Sequence, residues 1–436
     1  MATPRSVPPL PPARSAIVIG AGIVGLCTAL HLRRLGLEVT VLEADGVAAG
    51  SSWGNAGWLT PDIATPLPEP SVLAGGVRAL VSPSAPLYVP LRADPRLVRF
   101  LTGFLRHCTP SRWRRGMAAL MPVNERALDA YAELATLGVA EPTRAGDPFI
   151  AAFARAGQER DLLAEFAQIR SMGLAVEVET ISGRAARELA PALSPRIATA
   201  VILHGTRFLH PPNYLAALGE ACVRAGVEVR TGATVSALDG GTPTRGVDVR
   251  WHPTPAGGRR RARAGESHRA DLAVVAAGVH SGALLRPHGV RRLVQAGRGY
   301  SFTVPVDPMP TMPLYFHAAR VACTPLGDRY RIAGMMEFRR PGDPLDPRRI
   351  DAIVSATEPL LAGADFTDRR HEWVGSRPCT TDGLPLVGPT RSPRVIAATG
   401  HGMWGMTQGP ITGALIAAYV RTRRLPDLLR PFDPLR

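Results

Sequence analysis

Along the first 45 residues, apolar and polar positions fall into three successive patterns. Residues 16–19 form an unbroken apolar run, as a strand buried on both faces requires. Residues 23–35 predict a helix, which Gly36 ends. Residues 38–42 predict a second strand, with Glu43 at its end. Further on, 212–224 has helical periodicity closed by Gly226, and 227–230 and 234–238 read as short strands around Gly232. A polar excursion over 240–270 leads into a buried strand at 271–279 that ends in Ala276-Ala277-Gly278. Residues 300–304, 314–324 and 330–338 read as strands separated by Pro, Gly and Asp turns. Residues 112–137, 158–172 and 347–361 read as helices, and 61–110 as irregular chain with short helices. Near the end, a loop at 376–388 precedes a buried strand at 395–399. A last helix is expected from about Pro410, a residue suited to a first turn.

The first strand–helix–strand unit carries candidate chemistry. Gly20, Gly22 and Gly25 form G-x-G-x-x-G at the strand-to-helix turn. Gly20 permits the tight turn, Gly22 lets backbone approach a pyrophosphate, and Gly25 allows close helix–strand packing. The helix that opens at Ile23 and Val24 directs its free amides and dipole at the phosphates. Glu43 stands about 20 residues beyond the glycines, where a carboxylate accepts hydrogen bonds from a ribose diol and repels a 2′-phosphate. The strand, helix and terminal carboxylate supply the context that the glycine pattern by itself lacks. Ala277 and Gly278 bring a later strand back beside the nucleotide, where small residues permit close approach. This half does not choose between FAD and NAD.

The C-terminal half favours a flavin. Gly400-His401-Gly402-Met403 is a glycine turn leading to a helix, which presents amides and a positive dipole end to an anion such as the pyrimidine edge of a reduced flavin. The bland alternative is a terminal helix that merely packs on the sheet. Arg377 offers a planar fork that matches a carboxylate. In a chain with so many arginines, a surface role is the ordinary alternative for it.

Composition removes other classes. All 51 basic residues are arginine, so neither a lysine Schiff base nor a phosphate-loop lysine exists. The 5 cysteines (Cys27, Cys108, Cys222, Cys323 and Cys379) contain no C-x-x-C pair, and no metal site is expected. The net charge of +15 comes from scattered arginines, apart from a run at 259–263 read as a solvated loop, so nucleic-acid binding is not expected. A weak attraction to acidic lipid headgroups is compatible with it. A chain of 436 residues suggests about two domains, and no apolar run is long enough to span a membrane.

Taken together, the blocks VIGAGIVG with Glu43, GSSWGNAGWLTPD at 50–62, Ala277-Gly278, RGYSF at 298–302, GSRPCTTDGLPLVG at 375–388 and GHGMWGMTQGP at 400–410 resemble the D-amino acid oxidase-like FAD oxidoreductases. Within them, the chain is most similar to bacterial D-amino acid dehydrogenases. The resemblance implies an α/β fold: a discontinuous Rossmann-type, glutathione-reductase-like FAD domain (15–60, 200–290 and 371–436) after a disordered tail (1–14). A substrate domain of α+β type on an antiparallel sheet (61–199 and 291–370) is inserted into it. It implies that Ser51, Ser52, Asn55, Ala56 and Gly57 line the flavin, that Val235 meets adenine through its backbone, and that Gly402 and Met403 border the pyrimidine edge. Arg377 then grips the substrate carboxylate, with Tyr300 and Tyr315 as pocket candidates. Cys379 does not fall where some relatives attach flavin, so non-covalent FAD is expected. The implied reaction is oxidative deamination of D-amino acids to 2-oxo acids and ammonia, with a quinone-type acceptor, in the cytoplasm or at the inner membrane face. Oxidation of glycine, sarcosine or D-hydroxyproline-type amines is the alternative, and an NAD-dependent dehydrogenase is one against which the C-terminal blocks argue.

Overall fold

The computed structural model describes residues 10–70, 82–90, 93–254 and 265–436. The arginine run at 259–263 and most of the expected tail lie outside them. Leu10 is buried, and its amide donates to the Arg423 carbonyl at 3.1 Å.

Two sheets dominate. The first has six strands in the order Glu228–Arg230, Glu38–Leu42, Ser15–Ile19, Leu272–Val275, Val395–Thr399 and Leu386–Pro389. All pairings are parallel except the last. The strand Ser15–Ile19 is central and lies between the Glu38–Leu42 and Leu272–Val275 strands, which explains its unbroken apolar run. Helices Ile23–Arg34 and Gly405–Thr422 pack together on one face. Their approach is so close that a Cβ on Gly413 would lie 2.7 Å from the Cys27 backbone.

The second sheet has nine strands and is mostly antiparallel. It runs from Arg370–Thr380 through Val294–Val304, Arg329–Phe338, Val321–Leu326, Leu314–Phe316, Phe149–Phe153 and Thr199–Leu203 to Val178–Ser182. Leu87–Tyr88 pairs off this path with Arg329–Phe338. The strands Thr199–Leu203 and Arg370–Thr380 pair wholly within this sheet, although the expected boundaries at 199/200 and 370/371 place them with the nucleotide-binding part. Backbone pairing decides their membership, and sequence position does not reveal it.

Other expectations need correction. The polar excursion contains two strands, Val247–Pro253 and Glu266–Ala270, which form a three-stranded meander with Ala233–Gly240. Val247, Val249 and Trp251 are buried while Asp248 and Arg250 are not, so this middle strand of the meander shows the alternation of a sheet covered on one face. The single strand expected at 314–324 is a hairpin, turning through His317–Ala319 and a left-handed Arg320 (φ 52°). Residues 376–380 are strand, not loop. Pro378 is tolerated because Arg370–Thr380 is the edge strand of its sheet.

The last helix begins at Gly405, which places Pro410 inside it. Proline removes the amide that would have bonded the Met406 carbonyl. The buried Tyr131 hydroxyl donates to that oxygen instead, at 2.6 Å.

Candidate active site

The glycines and carboxylate of the nucleotide motif gather at the C-terminal edge of the parallel sheet, where open α/β sheets bind ligands. Gly20 has φ 107°, and a Cβ there would lie 2.6 Å from the Ala276 carbonyl oxygen. A Cβ on Gly25 would overlap the Gly20 carbonyl oxygen at 1.9 Å, so the helix can cross the strand only with glycine at 25. Helix Ile23–Arg34 has no side-chain cap and no acidic residue in its first turn, which leaves its amide end to an anion. Of its first amides, Ile23 donates to the Ser52 hydroxyl at 3.3 Å. The Glu43 carboxylate accepts from the Ala21 amide at 2.7 Å and the Asp45 amide at 3.0 Å. Val235 lies on the meander strand that the Glu43 carbonyl holds through the Ala233 amide at 2.7 Å.

The neighbouring strand ends complete a cradle. The Thr399 hydroxyl donates to the Gly278 carbonyl at 2.9 Å, tying Ala277-Gly278 to the Gly400 turn. Gly278 (φ 52°) and Gly402 (φ 54°) have nothing within 4 Å of where a Cβ would stand. A Cβ on Gly22 would meet only the Ser52 hydroxyl, at 3.4 Å. Open, side-chain-free backbone at three strand ends and a free helix terminus fit a phosphate-bridged dinucleotide.

The loop Ser51–Gly57 is fastened from the second sheet. Buried Arg331 donates to the carbonyls of Trp53 (2.9 Å) and Asn55 (3.2 Å), and its guanidinium lies 5.2 Å from the Trp53 ring centre. Burial lowers its pKa to about 10. Ser301 donates to the Gly54 carbonyl at 2.9 Å, and Asn55 accepts from the Gly57 amide at 2.8 Å.

Asn55, Ala56 and Met403 open onto a cavity of about 450 Å³ that Arg377 also lines. Arg377 reaches it by crossing its neighbouring strand at Gly299, where a Cβ would lie 2.2 Å from the guanidinium carbon. Beyond Gly299 a β-bulge sets Met335 and Met336 against one residue, because Arg298 pairs with Glu337 but Tyr300 with Gly334. Met335 is left-handed (φ 55°), and its carbonyl accepts from Arg377 at 3.3 Å. Among the described residues, no carboxylate pairs with Arg377. Burial lowers its pKa, so an incoming carboxylate would relieve a desolvated cation.

The two tyrosines part company. Tyr315 lines the cavity, packed edge-on against Trp58 with ring centres 5.3 Å apart. Tyr300 does not line it. Gly299 faces the cavity, so Tyr300 points to the opposite side of the sheet. There it is buried, and its hydroxyl donates to Glu337 at 2.6 Å. Cys379 is also away from the cavity, in an apolar cluster with Phe100, Phe104 and Phe338, and burial pushes its thiol up to about 12.

Sequence reasoning missed the charged groups of the cavity: Arg320, His317, Glu69 and Glu165. Arg320 meets Glu69 and the Tyr315 hydroxyl, each at 3.4 Å. Burial, reinforced by Arg320, pushes His317 down to about 3, so its imidazole is neutral. The first two sit in the hairpin turn hidden inside an expected strand, and none belongs to a motif.

A Rossmann-type sheet with a dinucleotide cradle opening onto a cavity with a free arginine defines a cofactor-dependent oxidoreductase. The family model for FAD dependent oxidoreductases matches residues 15–419, and the chain belongs to that family. It is 33% identical over 400 residues to a D-amino acid dehydrogenase of Cereibacter sphaeroides, covering 90% of this chain and 88% of the relative. A D-amino acid dehydrogenase of Methylobacterium nodulans is 32% identical over 429 residues, covering 94% and 96%. Among solved structures, glycine oxidase from Geobacillus kaustophilus superposes with a TM-score of 0.69 at 21% identity, covering 97% of this chain and 98% of that one. L-alpha-glycerophosphate oxidase from Mycoplasma pneumoniae, solved with FAD bound, also gives 0.69 at 14% identity, covering 94% and 95%. These two likenesses concern the fold. The cofactor of the family is FAD.

Proposed function

We propose that the chain is a D-amino acid dehydrogenase that deaminates its substrate to a 2-oxo acid and ammonia. The observation that carries this reading is Arg377, a half-buried, desolvated guanidinium with no carboxylate partner among the described residues, in the cavity that Asn55, Ala56 and Met403 share with the cofactor cradle. Arg377 takes the α-carboxylate in a bidentate grip, and the Met335 carbonyl fixes the plane of that fork. Trp58, Tyr315 and Phe149 form an aromatic wall that excludes water from the substrate's α-carbon. FAD, when bound, supplies the acceptor for the two electrons and the α-hydrogen. The imino acid that leaves is hydrolysed by water. No acid or base of the chain is required if the substrate amine enters neutral. Positioning carries the rate.

Gly20, Gly22, Gly25, Glu43, Ser52, the Asn55–Gly57 stretch, Gly278 and Gly402 are the residues we assign to FAD, held without a covalent bond. A glycine or sarcosine oxidase is the weaker reading, since the relatives 32–33% identical to this chain are D-amino acid dehydrogenases while glycine oxidase is 21% identical. A quinone-type acceptor at the cytoplasmic membrane face fits the arginine-rich surface. No helix among the described residues is long and apolar enough to cross a membrane. The test is anaerobic mixing of the yellow holoprotein with D- and L-amino acids while the flavin absorbance is followed. Bleaching by D-amino acids supports the assignment. Bleaching by L-enantiomers alone, or by none, refutes it.

A further inference from the structure

The cavity holds more charge than the proposed reaction needs. Arg377 is set on the sheet near Met335, and Tyr315 lies two strands further across, about 10 Å by the usual strand spacing. At that far end Arg320 is already answered by Glu69 and Tyr315. Glu165, on the helix Arg160–Ser171, lines the same end and makes no hydrogen bond or ion pair among the described residues. Leu162, Phe166, Leu203 and Phe149 supply apolar wall to the same cavity.

From this arrangement we infer that the preferred substrates are D-amino acids whose side chain ends in an ammonium or guanidinium, and that Glu165 receives that cation. The inference rests on the deamination reading above. With the α-carboxylate on Arg377, an extended lysine or arginine side chain reaches roughly 6–8 Å beyond it by ordinary bond lengths. The apolar walls cover its methylenes, and its charge arrives beside the surplus carboxylate. An acidic side chain would face two carboxylates there, and a neutral one would leave the half-buried Glu165 without a partner. Burial, then the neighbouring Glu69, push the Glu165 carboxyl up to about 7, with Arg320 opposing. The groups that face it are Glu69, Arg320, Tyr315 and the neutral His317. Discrimination in favour of the cation therefore strengthens as pH rises through about 7 and Glu165 loses its proton.

The experiment measures anaerobic flavin reduction in the holoenzyme with D-lysine and with D-norleucine, which shares its chain but lacks the ammonium. The ratio of the two efficiencies cancels the α-amine titration that the substrates share. At pH 8 the expected preference for D-lysine is roughly tenfold or more, as for a charge-assisted pair, and it shrinks at pH 6. Glu165→Gln should lose about tenfold for D-lysine, mainly through weaker binding, and leave D-norleucine within about twofold. Equal or better reduction by D-norleucine in the wild type overturns the inference and leaves deamination standing, without recourse to any variant. An equal loss for both substrates in Glu165→Gln overturns it too. If no D-amino acid bleaches the flavin, deamination itself fails, and the inference with it.

Discussion

At the edge of the parallel sheet, the groups offered to a ligand are backbone amides and bare glycine backbone, most of them within one strand–helix–strand unit. Across the Asn55–Ala56 turn, the cavity offers side chains instead: Arg377 from one end of the large sheet, Tyr315 and Arg320 from a hairpin four strands away, and Glu165 from a helix. The cradle binds by shape and by the field of a helix terminus, for which nearly any residue serves except where a Cβ collides. The cavity binds by individual charges in a desolvated space, where the identity of one side chain decides the chemistry. The first region should therefore break through steric additions and the second through isosteric loss of charge.

The steric test is the most severe. Gly25→Val places a Cβ against the Gly20 carbonyl and should cost about 3 kcal/mol or more, with little flavin retained. The flavin-to-protein absorbance ratio and the thermal midpoint report both effects, and full flavin occupancy would contradict the packing argument. Arg377→Met is the charge counterpart. It should lower kcat/KM for D-amino acids about a thousandfold, near 4 kcal/mol, while flavin content stays at the wild-type level. Loss of flavin alongside activity would assign Arg377 to the cradle.

A third variant addresses the turn that joins the two regions. Burial raises the pKa of Asp382, but Arg436 (3.0 Å) and Arg292 outweigh it and hold the carboxyl at about 2. Its contribution to stability is present above the ordinary carboxylate range and is lost as pH falls through about 2. Arg436→Ala should cost about 2 kcal/mol at pH 7, and its stability should begin to fall at a higher pH than in the wild type, as urea unfolding across pH 3–7 would show. The smallest effect is expected from Tyr131→Phe. It removes the donor to the Met406 carbonyl beneath the last helix and should cost about 1 kcal/mol with activity unchanged. A drop in activity would mean that the helix start is tuned by this contact.

The two regions also differ in how far they can be read along the chain. In the cradle, Gly20, Gly22, Gly25 and Glu43 have their roles set by spacing within one local unit, and the sheet places them at its ligand edge. The meander strand Val247–Pro253 was equally legible, since Val247, Val249 and Trp251 alternate with polar residues, but its polar half obscured it. The hairpin at Arg320 was not, because its turn contains neither Gly nor Pro. Tyr300 and Tyr315 looked alike as pocket candidates; the side of the sheet each one faces separates them.

The sequence by itself determined the nucleotide-binding unit, the family to which the chain belongs and the absence of lysine chemistry. Each of these depends on residue type and short-range spacing, which the chain carries wherever it folds. Tertiary structure alone decided that Arg377 escapes pairing, that Arg320 does not, and that Glu165 faces the same cavity. Those outcomes depend on which strands become neighbours and which face of each is turned inward. A charge has a function only once its partners, its burial and its distance from other charges are set, and these residues come from three separate segments spread between positions 165 and 377.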